Sequence, residues 1–269
     1  MAKQKKNGAA APSLPGDGDH PGVSREDYAK RLQPLQYRMR SLSLAYFQRH
    51  LNGIVVIEGT DTAGKGGAIR RMTAELDPRH YDVWPIGPPT PTELRHHYLW
   101  RFWQILPERG LIGIFDRSWY GRVLVERVDA LTPEAGWRRA YDEIRAFDRT
   151  LIDGGTRLVK IYLHVSADEQ KRRLAERVKE PHKRWKVSAA DFRSHLQRDA
   201  YMTAAEEMFA ETSTEAAPWH VIAGDNKRHA RLKVIETVFD TFARDIDLAP
   251  RPLDEETLRL AADVLGNQD

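Results

Sequence analysis

Cysteine is absent from this 269-residue chain, which excludes disulfides, thiolate catalysis and cysteine-ligated metals. No apolar run approaches the roughly 20 residues that cross a bilayer, so no membrane partner is expected. The N-terminal stretch MAKQKKNGAAAPSLPGDGDHPG lacks the apolar core of a secretion signal, and the expected compartment is the cytoplasm. No internal repeat is visible. Ten histidines are scattered without metal-ligand spacing, and the adjacent pair His96 and His97 cannot share one helix face well. Charge of one sign is not in large excess: the net is +3, so its distribution carries more than its total.

Hydrophobic residues at 41% and charged residues at 30% are ordinary for a water-soluble α/β domain with a sizeable core. Residues 1–24, rich in Gly, Pro, Ala and Lys, read as a disordered tail. One large domain follows over residues 25–248, and a C-terminal helix or tail occupies residues 249–269. A helical stretch over Arg25–His50 is expected to break or kink near Pro34. Strands are then expected at Gly53–Glu58, Tyr81–Trp84, Leu111–Phe115, Leu158–Val165 and Trp219–Ala223. Helices are expected at Ala68–Leu76, Thr92–Ile105, Pro133–Ile152, Ala167–Val178, Ser188–Glu211, Lys227–Arg244 and Leu253–Leu265. Such alternation implies an α/β fold with a mostly parallel sheet between two helical layers.

The stretch GIVVIEGTDTAGKGG carries the chemistry. Gly59, Gly64 and Lys65 occupy the three defining places of G-x-x-x-x-G-K, after a strand and before a helix. That spacing lets backbone N–H groups from Gly59 through Thr62, Ala63, Gly64, Gly66 and Gly67 cradle phosphate, while Lys65 adds a point charge and the helix its dipole. The hydroxyl that usually follows the lysine and reaches Mg²⁺ is missing, because the position is Gly66. Asp61, inside the loop, is the obvious replacement.

A second motif is LIGIFDRSWYGR. An apolar strand ending in Asp116 places a carboxylate beside the phosphate loop, where open α/β sheets bind ligands. Asp61 and Asp116 can then share Mg²⁺, directly or through water, with Mn²⁺ as the alternative ion. Arg117 and Arg122 follow with forked donors suited to phosphate oxygens. Between Asp168 and Lys186 stand eight Lys or Arg against four acids, a surplus of four. Past Pro181 this run must leave its helix, and it reads as a basic loop able to fold over a polyanion. Lys227, Arg228, His229 and Arg231 form a smaller basic cluster at a helix start. Glu93, Arg95 and Arg101 are weaker candidates for an acceptor phosphate.

Taken together, Gly59–Gly67, Phe115–Arg122, Lys183–Ser188 and Ala217–Ile222 with Asp225–Arg231 resemble the polyphosphate kinase type 2 family in motif and order, over roughly residues 30–246. The resemblance implies a thymidylate-kinase-like P-loop three-layer sandwich with a helical lid at about residues 179–200. It implies an enzyme that moves the terminal phosphate of inorganic polyphosphate reversibly onto an adenine or guanine nucleoside mono- or diphosphate, with Mg²⁺. By motif position Asp61 and Asp116 would be metal and catalytic carboxylates. Lys65 and Arg117 would hold the transferring phosphate, with Arg122 assisting, and Lys183, Arg184 and Lys186 would belong to the lid. Homo-oligomers, dimeric or tetrameric, are also implied, and nucleic acid is not an expected partner. The departure is Gly121, a position that varies with acceptor class and here offers no side chain. An ATP-dependent nucleotide kinase is the nearest rival, but it predicts a hydroxyl after Lys65 and a less basic lid. A non-enzymatic nucleic-acid binder is the distant rival, and it would tolerate Asp61→Asn or Asp116→Asn.

Overall fold

The computed structural model describes residues 11–16 and 18–266. Five strands, β1 (Asn52–Gly59), β2 (Tyr81–Pro85), β3 (Ile112–Asp116), β4 (Thr156–His164) and β5 (Trp219–Ala223), form one sheet in the order β2-β3-β1-β4-β5. Every pairing is parallel. The helices are α1 (Arg25–Arg49), α2 (Lys65–Met72), α3 (Trp100–Trp103), α4 (Val125–Val128), α5 (Glu134–Asp153), α6 (Ala167–Lys179), α7 (Ala189–Leu196), α8 (Arg198–Thr212), α9 (Lys227–Phe242) and α10 (Glu255–Leu265).

Side-chain alternation in the central strands builds two cores. Val55 and Ile57 of β1, with Val159, Ile161 and Leu163 of β4, pack beneath α1, α2 and α9. Ile54 and Val56, with Leu158 and Tyr162, pack against α3, α5 and α8 on the other face. Both faces of β1 and β4 are therefore covered, as a parallel sheet requires, and the strands read as near-continuous apolar runs. After β3 the chain crosses to β4 on the far side of β1, and this reversal opens a crevice at the carboxyl ends of β1 and β3. The register pairs Ile57 with Asp116, so the carboxylate ends its strand level with the start of the glycine-rich loop.

All five expected strands are present. Three helices differ from expectation in where they break, and α4 (Val125–Val128) is not among those expected. The expected break near Pro34 does not occur, and α1 runs unbroken from Arg25 to Arg49. Pro34 and Lys30, whose carbonyl loses its partner, both lie on the exposed face, where solvent can take the orphaned acceptor. The expected helix over Thr92–Ile105 is instead a short 3₁₀ turn (Glu93–Arg95) and α3, separated by the extended residue His96. Arg101 Nε lies 3.1 Å from Glu93 Oε1, and a straight helix would hold those residues about 12 Å apart along its axis. The helix expected over Ser188–Glu211 breaks at Gln197 into α7 and α8. The break frees Arg198 to reach the Val165 carbonyl at 2.5 Å.

Residues 11–16 and 18–24, within the expected disordered tail, contain no helix or strand, yet Leu14 and Val23 pack against the two cores. Residues 1–10 and 17, to which that expectation also applies, lie outside the described residues, as do residues 267–269 of the expected C-terminal tail.

Candidate active site

The phosphate loop begins where β1 can no longer carry side chains. At Gly59 φ is +140°, and a Cβ there would stand 2.2 Å from the Leu163 carbonyl oxygen, so only glycine fits. Gly64, at φ +104°, caps α2, and the helix starts at Lys65 itself, three residues earlier than the periodicity suggests. Thr62 holds a left-handed φ of +67°, an uncommon conformation for a β-branched residue. Arg173, 3% exposed on α6, braces that turn. Its guanidinium donates to the carbonyls of Thr62 (2.9 Å), Ala63 (3.1 Å), Gly224 (2.7 Å) and Asp225 (2.9 Å), and its Nε to Glu169 (2.6 Å). The Ala63 N–H is taken by the Thr60 carbonyl at 3.1 Å, and the N–H groups of Gly64 through Gly67 at the start of α2 are left for a phosphate.

Two clefts flank this loop. The first, about 880 Å³, is lined by Asp61, Thr62, Ala63, Gly64, Lys65, Gly66, Gly67, Asp116, Arg117, Lys183 and Lys186, which gathers most of the sequence-derived candidates. It also takes in Arg70, Arg71, Arg173, Arg177, Lys227 and Arg231. The second, about 730 Å³, has a largely apolar wall that includes Pro88, Pro89, Leu94, Tyr98, Phe102 and Met202. Gly59 and Arg122 line this second cleft and not the first. The clefts share Asp61, Ile86, Gly87 and Arg117 and therefore meet at the Asp61–Arg117 pair.

At that junction Arg117 Nη2 lies 2.8 Å from Asp61 Oδ1. Burial pushes the Asp61 carboxyl up, but the charges of Lys65 and Arg117 and the bonds from Ser194 and Arg117 outweigh it and hold the group below its ordinary range. Burial likewise works against the Arg117 cation, and the negative charges of Asp61, Glu58 and Asp116 hold it above its ordinary value. Lys65, 9% exposed, donates to the carbonyls of Gly59 (2.9 Å) and Thr60 (3.4 Å). Burial and then the neighbouring Arg173 charge pull the Lys227 ammonium down. Burial and then Arg71 do the same to Arg231. Cations that oppose one another in this way gain from a polyanion between them.

Not every candidate faces the first cleft. Arg184 lines neither cleft, and its Nε donates to the Val178 carbonyl at 3.0 Å. Arg122 pairs with Glu126 (2.7 Å), donates to Thr132 and sits 4.2 Å from the centre of the Tyr98 ring. Lys183 bonds Glu176 and lies 2.8 Å from Glu180. Arg228 donates to the Val23 carbonyl at 2.8 Å, away from the loop. Of the weaker candidates, Glu93 and Arg101 line the second cleft and Arg95 lines neither.

For a metal, among the described residues no three His, Asp or Glu side chains converge as a complete cage. Asp116 Oδ2 is 3.9 Å from where a Cβ on Gly66 would stand, so the carboxylate occupies the neighbourhood that a P-loop hydroxyl would serve. Two carboxylates completed by water and phosphate oxygens suit Mg²⁺, which keeps several waters. The residues therefore fit the ion.

Glu58, Arg70, Arg71 and the bracing role of Arg173 are not evident in the sequence. Glu58 is 4% exposed at the end of β1 and accepts from Ser118 Oγ at 2.8 Å. Burial lifts its carboxyl to about 7, although Ser118, Lys65 and Arg117 pull the other way. Arg70 and Arg71, in the last turn of α2, were signalled only by their place one helix after the loop.

The model of the polyphosphate kinase 2 family matches residues 22–247. The chain belongs to this family. It is 44% identical over 227 residues to a polyphosphate:AMP phosphotransferase of Pseudomonas syringae pv. tomato, covering 83% of this chain and 46% of that protein. It is 38% identical over 231 residues to an ADP-polyphosphate phosphotransferase of Rhodopseudomonas palustris, covering 81% and 80%. Among solved structures, a polyphosphate kinase 2 from Arthrobacter aurescens TC1 superposes with a TM-score of 0.85 at 31% identity, over 97% of this chain and 94% of that one. The chain spans about half the length of the polyphosphate:AMP phosphotransferases it matches. The fold is thus the P-loop kinase α/β sandwich that the motifs suggest.

Proposed function

We propose that this protein transfers the terminal phosphate of inorganic polyphosphate to a nucleoside monophosphate or diphosphate, reversibly, with Mg²⁺ bound at Asp61 and Asp116. The observation that carries the reading is the meeting of a basic cleft and a largely apolar cleft at Asp61 and Arg117. A polyphosphate chain suits the first, where Lys65, Arg70, Arg71, Arg177, Lys227 and Arg231 offer charge without a shape code. A nucleotide suits the second, its base against the apolar wall and its phosphate toward Arg117.

Phosphoryl transfer depends on positioning and charge neutralisation more than on covalent chemistry from the protein. An acceptor phosphate oxygen forms a new P–O bond to the terminal phosphorus as the bond to the next phosphate breaks, and the shortened chain leaves with that electron pair. The attacking oxygen is already anionic near neutral pH, so no strong base is needed. Arg117 bridges the two clefts and is placed to hold the moving phosphoryl group, while Lys65 and the loop N–H groups hold the donor. The ion, when bound, would neutralise phosphate charge between the carboxylates. Lys183 and Lys186 would close from the lid, residues 179–200, which pairs the Pro181–Lys186 turn with α7. Arg184 is left out of that role, because it turns to its own helix end.

AMP is the acceptor we favour, because the relatives at 44% identity are named polyphosphate:AMP phosphotransferases. Among the described residues no helix is long and apolar enough to cross a membrane. A cytoplasmic location and a homo-oligomer, dimer or tetramer, belong to the same reading and are checked by cell fractionation and sedimentation. The test of function offers long-chain polyphosphate and Mg²⁺ with AMP or ADP in separate reactions, and ATP with AMP as control. ADP formed from AMP only when polyphosphate is present supports the reading. Transfer from ATP with polyphosphate inert would make the protein an ordinary nucleotide kinase.

A further inference from the structure

Deep in the second core, and outside both clefts, lies a lysine with no exposed surface. Lys160 sits on β4, where alternation would call for an apolar side chain beside Leu158 and Tyr162. Its Nζ lies 3.2 Å from Asp148 Oδ2 and donates to the Thr212 carbonyl at 2.6 Å. Asp148, on α5, spends its remaining capacity on two consecutive residues of the loop after β3. Trp119 Nε1 donates to Oδ1 at 3.1 Å, and the Tyr120 hydroxyl donates to Oδ2 at 2.5 Å. Both aromatic rings are buried, at 1% and 0% exposure.

Arg117 stands two residues before Trp119 and is held at a left-handed φ of +67°. Its backbone N–H donates to the Ile57 carbonyl at 3.0 Å, and Ser118, next in line, is anchored on Glu58. The segment from Asp116 to Tyr120 is therefore gripped at one end by β1 and at the other by Asp148. An arginine in a sparsely populated backbone conformation keeps it only when its surroundings over-determine it. A buried ion pair is weak as a source of stability, since apolar residues of similar volume often serve as well or better. What apolar residues could not do here is accept from the indole and the phenol together.

We infer that Asp148, with Lys160 as its buried counter-charge, is a positioning residue that sets Arg117 by holding Trp119 and Tyr120. The inference rests on the proposed role of Arg117 at the transferring phosphate. With Lys160 Nζ 3.2 Å from its Oδ2, the Asp148 carboxylate accepts from both aromatic donors, Trp119 through Oδ1 and Tyr120 through Oδ2. Displacing a group that contacts a transferring phosphoryl by about 1 Å costs on the order of a hundredfold in rate, so a loosened loop shows in turnover more than in binding.

The test compares wild type with Asp148→Leu/Lys160→Met, which removes both charges and leaves no unpaired ion, and with Asp148→Asn/Lys160→Met, which retains an acceptor. Steady-state rates with polyphosphate and AMP are measured below the melting temperature of each protein. For the Leu/Met pair kcat falls at least about tenfold while the KM for polyphosphate stays within about threefold, and the Asn/Met pair recovers part of the loss. A folded Leu/Met pair with wild-type kcat overturns the inference, as does equal loss in both pairs. Should the Leu/Met pair fail to fold, Tyr120→Phe decides: it removes one bond to Asp148, and wild-type kcat there overturns the inference. Wild-type protein without polyphosphate-dependent transfer sinks the functional reading and this inference with it. Transfer by wild type with unchanged variants sinks the inference alone.

Discussion

Replacing Arg173 by lysine tests whether the phosphate loop is held by geometry or merely by charge. The arginine makes five polar contacts at 3% exposure, four of them to backbone carbonyls on two separate loops. A lysine ammonium carries three donors, so at least two of those five acceptors lose their partner even in the best arrangement. Each buried acceptor left unsatisfied costs about 1–3 kcal/mol, which places Arg173→Lys at roughly 2–6 kcal/mol of lost stability although the charge is kept. The carbonyls of Thr62 and Ala63 would turn back toward the cleft, and the KM for polyphosphate should rise. Urea unfolding followed by far-ultraviolet circular dichroism reads the stability, and initial rates read the KM. A loss under about 1 kcal/mol with an unchanged KM would show that the guanidinium fork is dispensable and that the loop's shape comes from elsewhere.

Further outcomes follow from single groups. Glu58 titrates at about 7 in the folded chain against 4.5 ordinarily, so between those pH values the folded state holds the extra proton. This contribution to stability is complete below about 4.5 and is lost as pH rises through about 7, a fall of roughly 3 kcal/mol. Urea unfolding at pH 5 and pH 7.5 should show it, and Glu58→Gln should flatten it; an equal slope in the variant would assign the effect to other groups. Gly59→Ala sets a Cβ 2.2 Å from the Leu163 oxygen and should lower stability by about 3 kcal/mol or more, seen as a large fall in the urea midpoint. Asp116→Asn should reduce kcat on the order of a hundredfold or more while the protein stays folded, and a binder or a structural aspartate would show no such loss. Polyphosphate affinity should fall steeply as salt rises from about 50 to 200 mM, because the first cleft recognises charge; a flat salt dependence would contradict that assignment.

The parts of the molecule legible in the sequence were those with local causes. β1 and β3 are apolar runs bounded by polar or turn residues, and the phosphate loop is defined by Gly59 and Gly64, whose φ values favour glycine. Asp116 could be placed from its position at the end of such a run. Where tertiary contacts decide, the local signals misled. The segment 92–105 has helical spacing, but the Arg101–Glu93 pair folds it into two short pieces. Pro34 signals a break that α1 does not show, because the Lys30 carbonyl it leaves unpaired lies on the exposed face. Arg184 sits in the lid motif beside Lys183 and Lys186, yet its guanidinium turns back to the end of α6. Glu58, Arg173 and the Asp148–Lys160 pair were illegible for a common reason: each is a charged residue whose partner lies on another element. No spacing rule relates α5 to β4, or α6 to the phosphate loop.

Under the proposed function, donor and acceptor occupy two clefts at once and react where these meet, at Asp61 and Arg117. The most direct measurement is a two-substrate initial-rate study, varying polyphosphate at several fixed AMP concentrations with Mg²⁺ saturating. Direct transfer in a ternary complex predicts reciprocal plots that intersect, and Arg117→Ala should lower kcat with either substrate varied. Parallel lines, with polyphosphate alone leaving a phosphorylated protein, would mean that the phosphate passes through the enzyme and would contradict the two-cleft account.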